Sequence, residues 1–402
     1  MKILFISSSL PPNYDSQTIR NIHFIRGLYR HSIVVDTLTV AKSEYLDDKD
    51  FLDTTNVNYF TESPFLLRFL ESLKLKPLQY LFHNIFNYVV APDLYISWPK
   101  IITNKYLSEF RKANYDAIIS TSGTYLAHVV ARKLHDELNV PYVCDLGDPW
   151  ADNPIWPENM YHKRKINEVL EKYAVDKSSL LTTTNDSTSS LYATKYPNKK
   201  VVSIPMGYNY RDIELPTIIN SGVISLCYVG VAYKKSRNLS HLIKAISNFK
   251  QCVLKITGPH SSSFDRLVLE EGIDNVSIRS RVSYQESEKI IDESDVSVAI
   301  GNTGGLQIPG KLYSLLGVPK PIFYMWQDSA DPALKVLDGM PGIVIVKNDI
   351  ISIVDGLNEL LDNYQILAKG SSDRAVSDRV RAFDWNSIAD DFALSVKNAV
   401  EK

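Results

Sequence analysis

Short β-branched, apolar runs alternate with amphipathic helical patterns along almost the whole chain, and the alternation begins twice. Lys2–Ser7 reads as a strand that runs into small polar residues. Thr18–Tyr29 then sets Ile19, Ile22, Ile25 and Leu28 at helical spacing. Ile33–Val40, Ala117–Ser120, Tyr142–Asp145, Leu180–Thr184 and Val201–Ile204 continue the strands, with helical patterns at Thr124–Leu138 and Pro157–Ala174. After residue 220 the rhythm restarts. Ile224–Val229, Val253–Thr257, Val276–Ile278, Val296–Ile300, Pro321–Tyr324 and Ile343–Val346 read as strands. Leu239–Phe249, Phe264–Glu271, Ser283–Ser294 and Gly310–Leu316 read as helices. Near-continuous apolar strands separated by helices belong to parallel sheets covered on both faces.

The expected fold class is therefore α/β, with two Rossmann-like, doubly wound parallel-sheet domains facing across a cleft. A length of 402 residues is more than one core accommodates, in keeping with two domains. The boundary falls at Pro205-Met206-Gly207-Tyr208-Asn209, which gives domains at 1–207 and 208–385. Residues 41–112 break the rhythm as an insertion. Within them Asp47–Asp53 is polar and acidic, and Pro64–Lys76 reads as one amphipathic helix with basic residues beside apolar ones. Such a helix either packs over the first domain or touches a membrane surface.

A formal net charge of −2 argues against a nucleic-acid partner. Cys144, Cys227 and Cys252 lie in apolar strand-like runs with no C-x-x-C spacing, as buried reduced thiols of a cytoplasmic protein do. Met1–Ile6 is too short for a secretory signal. No stretch of about 18 uninterrupted apolar residues suggests a transmembrane helix.

Four strand-end segments carry candidate chemistry. Gly230–Asn238 holds Lys234, Lys235 and Arg237 on a strand-to-helix loop, either as a solvated loop or as a diphosphate cradle. Gly301–Tyr313 offers Gly304, Gly305, Ile308 and Lys311; a cation in the first helical turn opposes the helix dipole unless an anion is near. It matches neither G-x-x-x-x-G-K-[ST] nor G-x-G-x-x-G, so dinucleotide redox chemistry loses its usual signature. Cys144–Asp152 supplies Asp145, Asp148 and Trp150, the carboxylates serving as general base, hydroxyl acceptor or helix cap. Ser120–Thr124 is a similar polar strand end, where Ser122 or Thr124 suits a cap. The sequence lacks H-E-x-x-H and G-x-S-x-G, its 8 His residues are scattered, and its only Asp-x-Asp, Asp48-Lys49-Asp50, lies in a polar stretch.

In this order the segments resemble the GT-B glycosyltransferases, and among them the large retaining GT4-like group of bacterial polysaccharide type. Lys2–Ser9 with Pro11-Pro12 looks like the family's opening strand and substrate loop. Pro92-Asp93 through Trp98, Tyr115–Ser122 and Asp145–Trp150 resemble a pattern of one bacterial subgroup. Ile204–Tyr208 resembles the family's hinge, and Tyr228-Val229-Gly230 with its following cations resembles the donor loop. Ile256–Pro259 and Asn275-Val276 fall where the family has similar segments. Ile308–Tyr313 resembles a Pro-Ser-Lys segment. The chain departs from the family at Leu306 and Ser314, where paired glutamates would stand, and at Gly147, where the subgroup has Arg.

The resemblance implies a nucleotide-diphosphate sugar as donor substrate, an oligosaccharide or lipid-linked acceptor, and no metal or other cofactor. It implies donor contacts from Gly230, Lys234, Lys235, Arg237, Gly304, Gly305, Ile308 and Lys311, and acceptor contacts from Asn13, Ser122, Gly123 and Trp150. Asp148 and Asp145 become the catalytic candidates, and residues 386–402 a last helix crossing back to the first domain. The implied setting is lipopolysaccharide or capsule assembly; the cytoplasmic location follows from the thiols and the missing signal, and peripheral contact at the inner membrane face is one of the two readings of Pro64–Lys76. A nucleotide-sugar epimerase of the same fold and a non-catalytic nucleotide-sugar-binding protein remain as alternatives.

Overall fold

The computed structural model describes residues 1–11, 15–40, 59–73, 76–90, 92–154, 161–209, 222–234 and 236–401. The chain divides into two compact units, one formed by Met1–Pro205 with Asn386–Lys402, the other by Met206–Trp385.

The first unit runs β1 (Lys2–Ile6), α1 (Ser16–Arg30), β2 (Val34–Thr39), β3 (Tyr59–Thr61), α2 (Phe65–Ser72), α3 (Lys76–Val89), α4 (Trp98–Ala113), β4 (Ala117–Thr121), α5 (Leu126–Leu138), β5 (Tyr142–Leu146), α6 (Tyr161–Asp176), β6 (Leu180–Thr183), α7 (Asp186–Lys195) and β7 (Val201–Ser203). Its seven strands are all parallel, in the order β3-β2-β1-β4-β5-β6-β7. β4 and β5 are buried at every position, which is why they read as unbroken apolar runs. Asp15 caps α1 by accepting from the Thr18 amide at 2.7 Å, and Asn139 ends α5 in the left-handed conformation that asparagine tolerates.

The second unit runs β8 (Ile224–Val229), α8 (Ser240–Ile246), β9 (Cys252–Thr257), α9 (Ser262–Glu270), β10 (Val276–Arg279), α10 (Tyr284–Asp292), β11 (Val296–Ile300), α11 (Gly310–Leu316), β12 (Ile322–Trp326), α12 (Pro332–Leu337), β13 (Ile343–Lys347), α13 (Ile350–Asp362), α14 (Tyr364–Ala375) and α15 (Asp378–Arg381). Its six parallel strands are ordered β10-β9-β8-β11-β12-β13. One core joins α8, α9 and α13 to the sheet through Leu242, Phe264 and Leu357. Another gathers Ile291, Leu312 and Leu337 from α10, α11 and α12.

The last helix, α16 (Trp385–Val400), packs on α1 of the first unit. Phe392 stacks on Phe24 with centroids 3.7 Å apart, and a Cβ on Gly27 would lie 2.5 Å from the Ala389 carbonyl oxygen. Gly27 therefore sets how closely the two helices approach.

Two expectations are corrected. Pro64–Lys76 is not a single helix: α2 stops at Ser72, Leu73 turns extended, and α3 starts at Lys76. β3 was not anticipated, because three residues are too few to show a period. Asp47–Asp53 lies outside the described residues. Among the described residues no helix is long and apolar enough to cross a membrane.

Candidate functional site

Each sheet changes winding direction once, and polar loops gather at the carboxyl ends of the strands where it does. In the second unit this point lies between β8 and β11. β8 leads into α8 and β11 into α11, helices that belong to different cores, so the two loops diverge, and open α/β sheets have their ligand crevice at such a point. Arg237, on the first loop, donates from Nε and Nη2 to Asn302 Oδ1 on the second, at 3.1 and 3.0 Å. Its charge also bears on the phenols of Tyr228 and Tyr324. Burial is the main cause that pushes both phenols up, so they stay neutral hydrogen-bonding groups.

The loops are clamped from behind. Gln327, after β12, donates to the Ser236 and Gly301 carbonyls at 2.6 Å each. Asn348, after β13, donates to the Asn238 carbonyl at 3.0 Å and to Gln327 Oε1 at 3.4 Å. Glycine is required where backbones meet. A Cβ on Gly258, whose φ is +139°, would lie 2.1 Å from the Gly230 carbonyl oxygen. Gly304 and Gly305 turn the second loop at φ +90° and +67°. The Gly304 amide donates to Asp328 Oδ2 at 3.0 Å. Ile308 packs half-buried against the core beneath α11, and Lys311 stands half-buried in that helix's first turn.

Two of the cations singled out in the sequence, Arg237 and Lys234, reach different places. Arg237 turns toward Asn302. Lys234, three residues earlier and exposed, lines a cavity beside α8 and α9 instead. Lys235 lies outside the described residues, as does Asn13 in the first unit.

In the first unit the winding changes between β1 and β4. The Thr124 amide donates to Ser8 Oγ at 2.8 Å, which joins the loops after those strands. Gly123 is exposed there, close enough that a Cβ would meet Ser8 Oγ and Ser9 Oγ at 2.5 Å. Asp148, after β5, is exposed, and its charge helps burial push the Tyr125 phenol up. Asp93 receives the Thr124 hydroxyl at 2.7 Å and the Tyr95 amide at 2.8 Å. Burial pushes this carboxyl up, against those hydrogen bonds and the nearby charge of Lys163.

Three other expected residues are interior. Asp145 is fully buried and receives Arg20 Nε at 3.1 Å, Arg20 Nη2 at 2.8 Å and the Thr182 hydroxyl at 2.7 Å. Arg20, also fully buried, donates onward to the Ile204 and Pro205 carbonyls at 2.8 Å. Asp145 thus holds an arginine that holds the chain leaving β7, and no face of it is open to a substrate. Trp150 is fully buried, stacked on Tyr125 at 5.1 Å, its indole donating to Asn167 at 2.7 Å. It supports the Asp148 loop from below and offers no surface to an acceptor. Ser122 is buried too, accepting from the Gly147 amide at 3.2 Å and facing His128 Nε2 at 3.4 Å. Burial lowers His128 to about 4, so it is neutral at pH 7. Neither Ser122 nor Thr124 is the cap residue of α5: that position is Tyr125, which makes no side-chain cap, and the Thr124 hydroxyl accepts from the Leu126 amide at 3.2 Å from one residue further out.

Asn302, Gln327, Asn348 and Asp93 were given no role from the sequence. They act through partners up to 110 residues away, and no local spacing announces that. The three cysteines are buried and unpaired by disulfides; burial pushes Cys144 up to about 12 and Cys252 to about 11, which leaves both as thiols. Among the described residues no group of three His, Cys, Asp or Glu side chains could hold a metal ion.

No protein-family model matches the sequence, and no curated protein does. The likeness lies in three dimensions. Anabaena Alr3699/HepE, solved in complex with UDP-glucose, is 16% identical over 99% of this chain and 100% of its own, with a TM-score of 0.66. The lipopolysaccharide outer core galactosyltransferase WaaB, in its apo form, is 14% identical over 99% and 100%, with a TM-score of 0.64. WaaG, a glycosyltransferase involved in lipopolysaccharide biosynthesis, is 11% identical over 97% and 99%, with a TM-score of 0.62. These likenesses establish the fold: two Rossmann-like parallel-sheet domains of the GT-B type.

Proposed function

We propose that this chain is a glycosyltransferase that moves a sugar from a nucleotide-diphosphate sugar to a glycan or lipid-linked acceptor. The reading includes a GT4-like lineage, retention at the anomeric carbon, no metal ion, and a cytoplasmic role in bacterial surface-polysaccharide assembly. The observation that carries it is the fixed guanidinium of Arg237, tied to Asn302 at the winding change of the second sheet beside a glycine-turned loop. As the bond from the sugar to the diphosphate breaks, negative charge grows on the departing oxygen. A cation already held in place stabilises that charge without reorganising. Lys311 and the backbone of Gly230 and Gly305 complete the donor surface in this reading. Asp148 and Gly123, exposed at the strand ends of the first unit, receive the acceptor hydroxyl.

Titration with UDP and GDP tests the donor half. Arg237→Gln is expected to weaken the preferred nucleotide about tenfold or more, the worth of one charge-assisted hydrogen-bonded contact. Binding of neither nucleotide to the native chain, or equal affinity in the variant, refutes it. Release of nucleotide diphosphate from a panel of nucleotide sugars, with and without a lipid extract, tests the transfer. Isomerised nucleotide sugar in the absence of acceptor would instead favour an epimerase.

We also infer peripheral contact with an anionic membrane through α2 and α3. Phe69 of α2 packs edge-on to Phe82 of α3, while Phe65, Tyr80, Leu81 and Val89 remain exposed. Leu81→Glu is expected to abolish co-sedimentation with phosphatidylglycerol vesicles, which carry no phosphomonoester; unchanged sedimentation refutes the contact.

A further inference from the structure

A cavity of about 500 Å³ opens on the α8–α9 flank of the second unit, apart from the crevice between β8 and β11. Its wall includes Lys234, His241, Lys244, Arg266 and Glu270, with Ser263 among them. Three cations therefore surround the space with one carboxylate. A second carboxylate, Glu271, stands behind Lys244 at 2.8 Å. With Lys244 paired to Glu271 and Glu270 in the wall, three cations face two carboxylates, and the remaining excess of positive charge favours an anion over a cation.

The polar groups of the wall are set for an acceptor-rich ligand. His241 is held by its Nδ1–H, which donates to the Asn348 carbonyl at 2.8 Å. Ser263 Oγ is buried and makes no hydrogen bond within the protein, which costs free energy unless a ligand or water supplies a partner. α9 starts without a side-chain cap, because the hydroxyl of its cap residue Ser261 accepts from the Lys234 amide at 3.2 Å instead. The volume lies in the range of small-molecule sites and is more than a bare inorganic anion fills.

We propose that this cavity binds a phosphomonoester, its phosphoryl group held by Lys244 and Arg266 with Lys234 at the rim and its polar body lying along His241 and Ser263. Lys234 thus serves a second anion site, one loop turn away from the Arg237 crevice. The site does not depend on the donor reading, since none of its proposed ligands is Arg237, Asn302 or Lys311. The phosphoryl group can belong to a soluble sugar phosphate or to the headgroup of an anionic lipid, and the test separates the two.

The full chain is titrated with glucose 6-phosphate and followed by ³¹P NMR. In parallel the Leu81→Glu chain, which lacks the α2–α3 membrane contact, is sedimented with phosphatidylcholine vesicles with and without phosphatidic acid. Either the soluble ester or the phosphatidic acid vesicles are expected to bind. The paired substitution Lys244→Gln and Arg266→Gln is expected to weaken that binding about tenfold or more, while Arg237→Gln leaves it unchanged. Both substituted side chains lie at the surface, and an unchanged thermal midpoint verifies the fold. The proposal is overturned if neither ligand binds, if the paired variant binds as the native chain does, or if Arg237→Gln abolishes binding. The last result would place the phosphate in the donor crevice.

Discussion

Asp145→Asn separates a structural carboxylate from a chemical one. In the native chain Asp145 and Arg20 are both fully buried and share two hydrogen bonds of 3.1 and 2.8 Å. Arg20 is further held by the Ile204 and Pro205 carbonyls and lies over the Phe24 ring, 4.3 Å from its centroid. The amide keeps the volume of the carboxylate but removes its charge, and turns an N–H₂ toward a donor. An uncompensated buried guanidinium costs about 3–5 kcal/mol. For a unit of this size each kcal/mol lowers Tm by about 2–4 °C, so a fall of about 6–20 °C is expected. Differential scanning calorimetry at pH 7 reads it. Replacing both partners, Arg20→Met with Asp145→Leu, should recover much of the loss, because apolar isosteres carry no desolvation cost. A variant that melts within about 2 °C of the native chain but has lost turnover would refute this account and make Asp145 a catalytic group.

Arg374, buried in the second unit, donates to the carbonyls of Leu316, Val318, Lys320, Pro341 and Gly342 at 2.8–3.3 Å. Burial pushes its guanidinium down to about 9, which leaves it charged at neutral pH. Arg374→Met should strip these carbonyls of a partner and destabilise the unit by about 3–5 kcal/mol in urea unfolding; a loss under about 1 kcal/mol contradicts that role. Buried as it is, His128 should make the first unit less stable in acid. Its folded value of about 4 lies below the ordinary 6.5, so the unfolded chain binds the proton more readily and stability falls as pH drops below 6.5. Between pH 7.5 and 5 the loss from this group is about 2 kcal/mol, and His128→Gln should flatten that part of the stability profile. Gly258→Ala would place a Cβ against the Gly230 carbonyl at a φ unfavourable to alanine. It should reduce nucleotide affinity while far-UV circular dichroism stays native; unaltered affinity would show that the loop pair does not shape the donor surface.

Much of the architecture was legible in the chain itself. The runs Ile224–Val229 and Val296–Ile300 and the helix Gly310–Leu316 coincide with β8, β11 and α11 residue for residue. A strand buried on both faces must be apolar throughout, and a surface helix must repeat every three to four residues, so both write their period into the sequence. The loops at the strand ends were legible as places but not as directions. Lys234 and Arg237 are three residues apart, yet one lines a cavity beside α8 and the other reaches Asn302, 65 residues on. Asp145 and Asp148 are likewise three apart. β5 is covered on both faces and Arg20 of α1 meets its carboxylate, which puts the first in the interior, whereas the second stands on the exposed loop.

The order of residues alone thus determined where all strands but β3 and the most strongly periodic helices run, and which segments end at a sheet's carboxyl edge, because those depend on neighbours within one or two turns. Only the folded arrangement decided which polar side chains are open to a ligand and which support the interior. That choice depends on partners brought in from distant strands and helices, and on the free energy of leaving a buried charge or carbonyl without one.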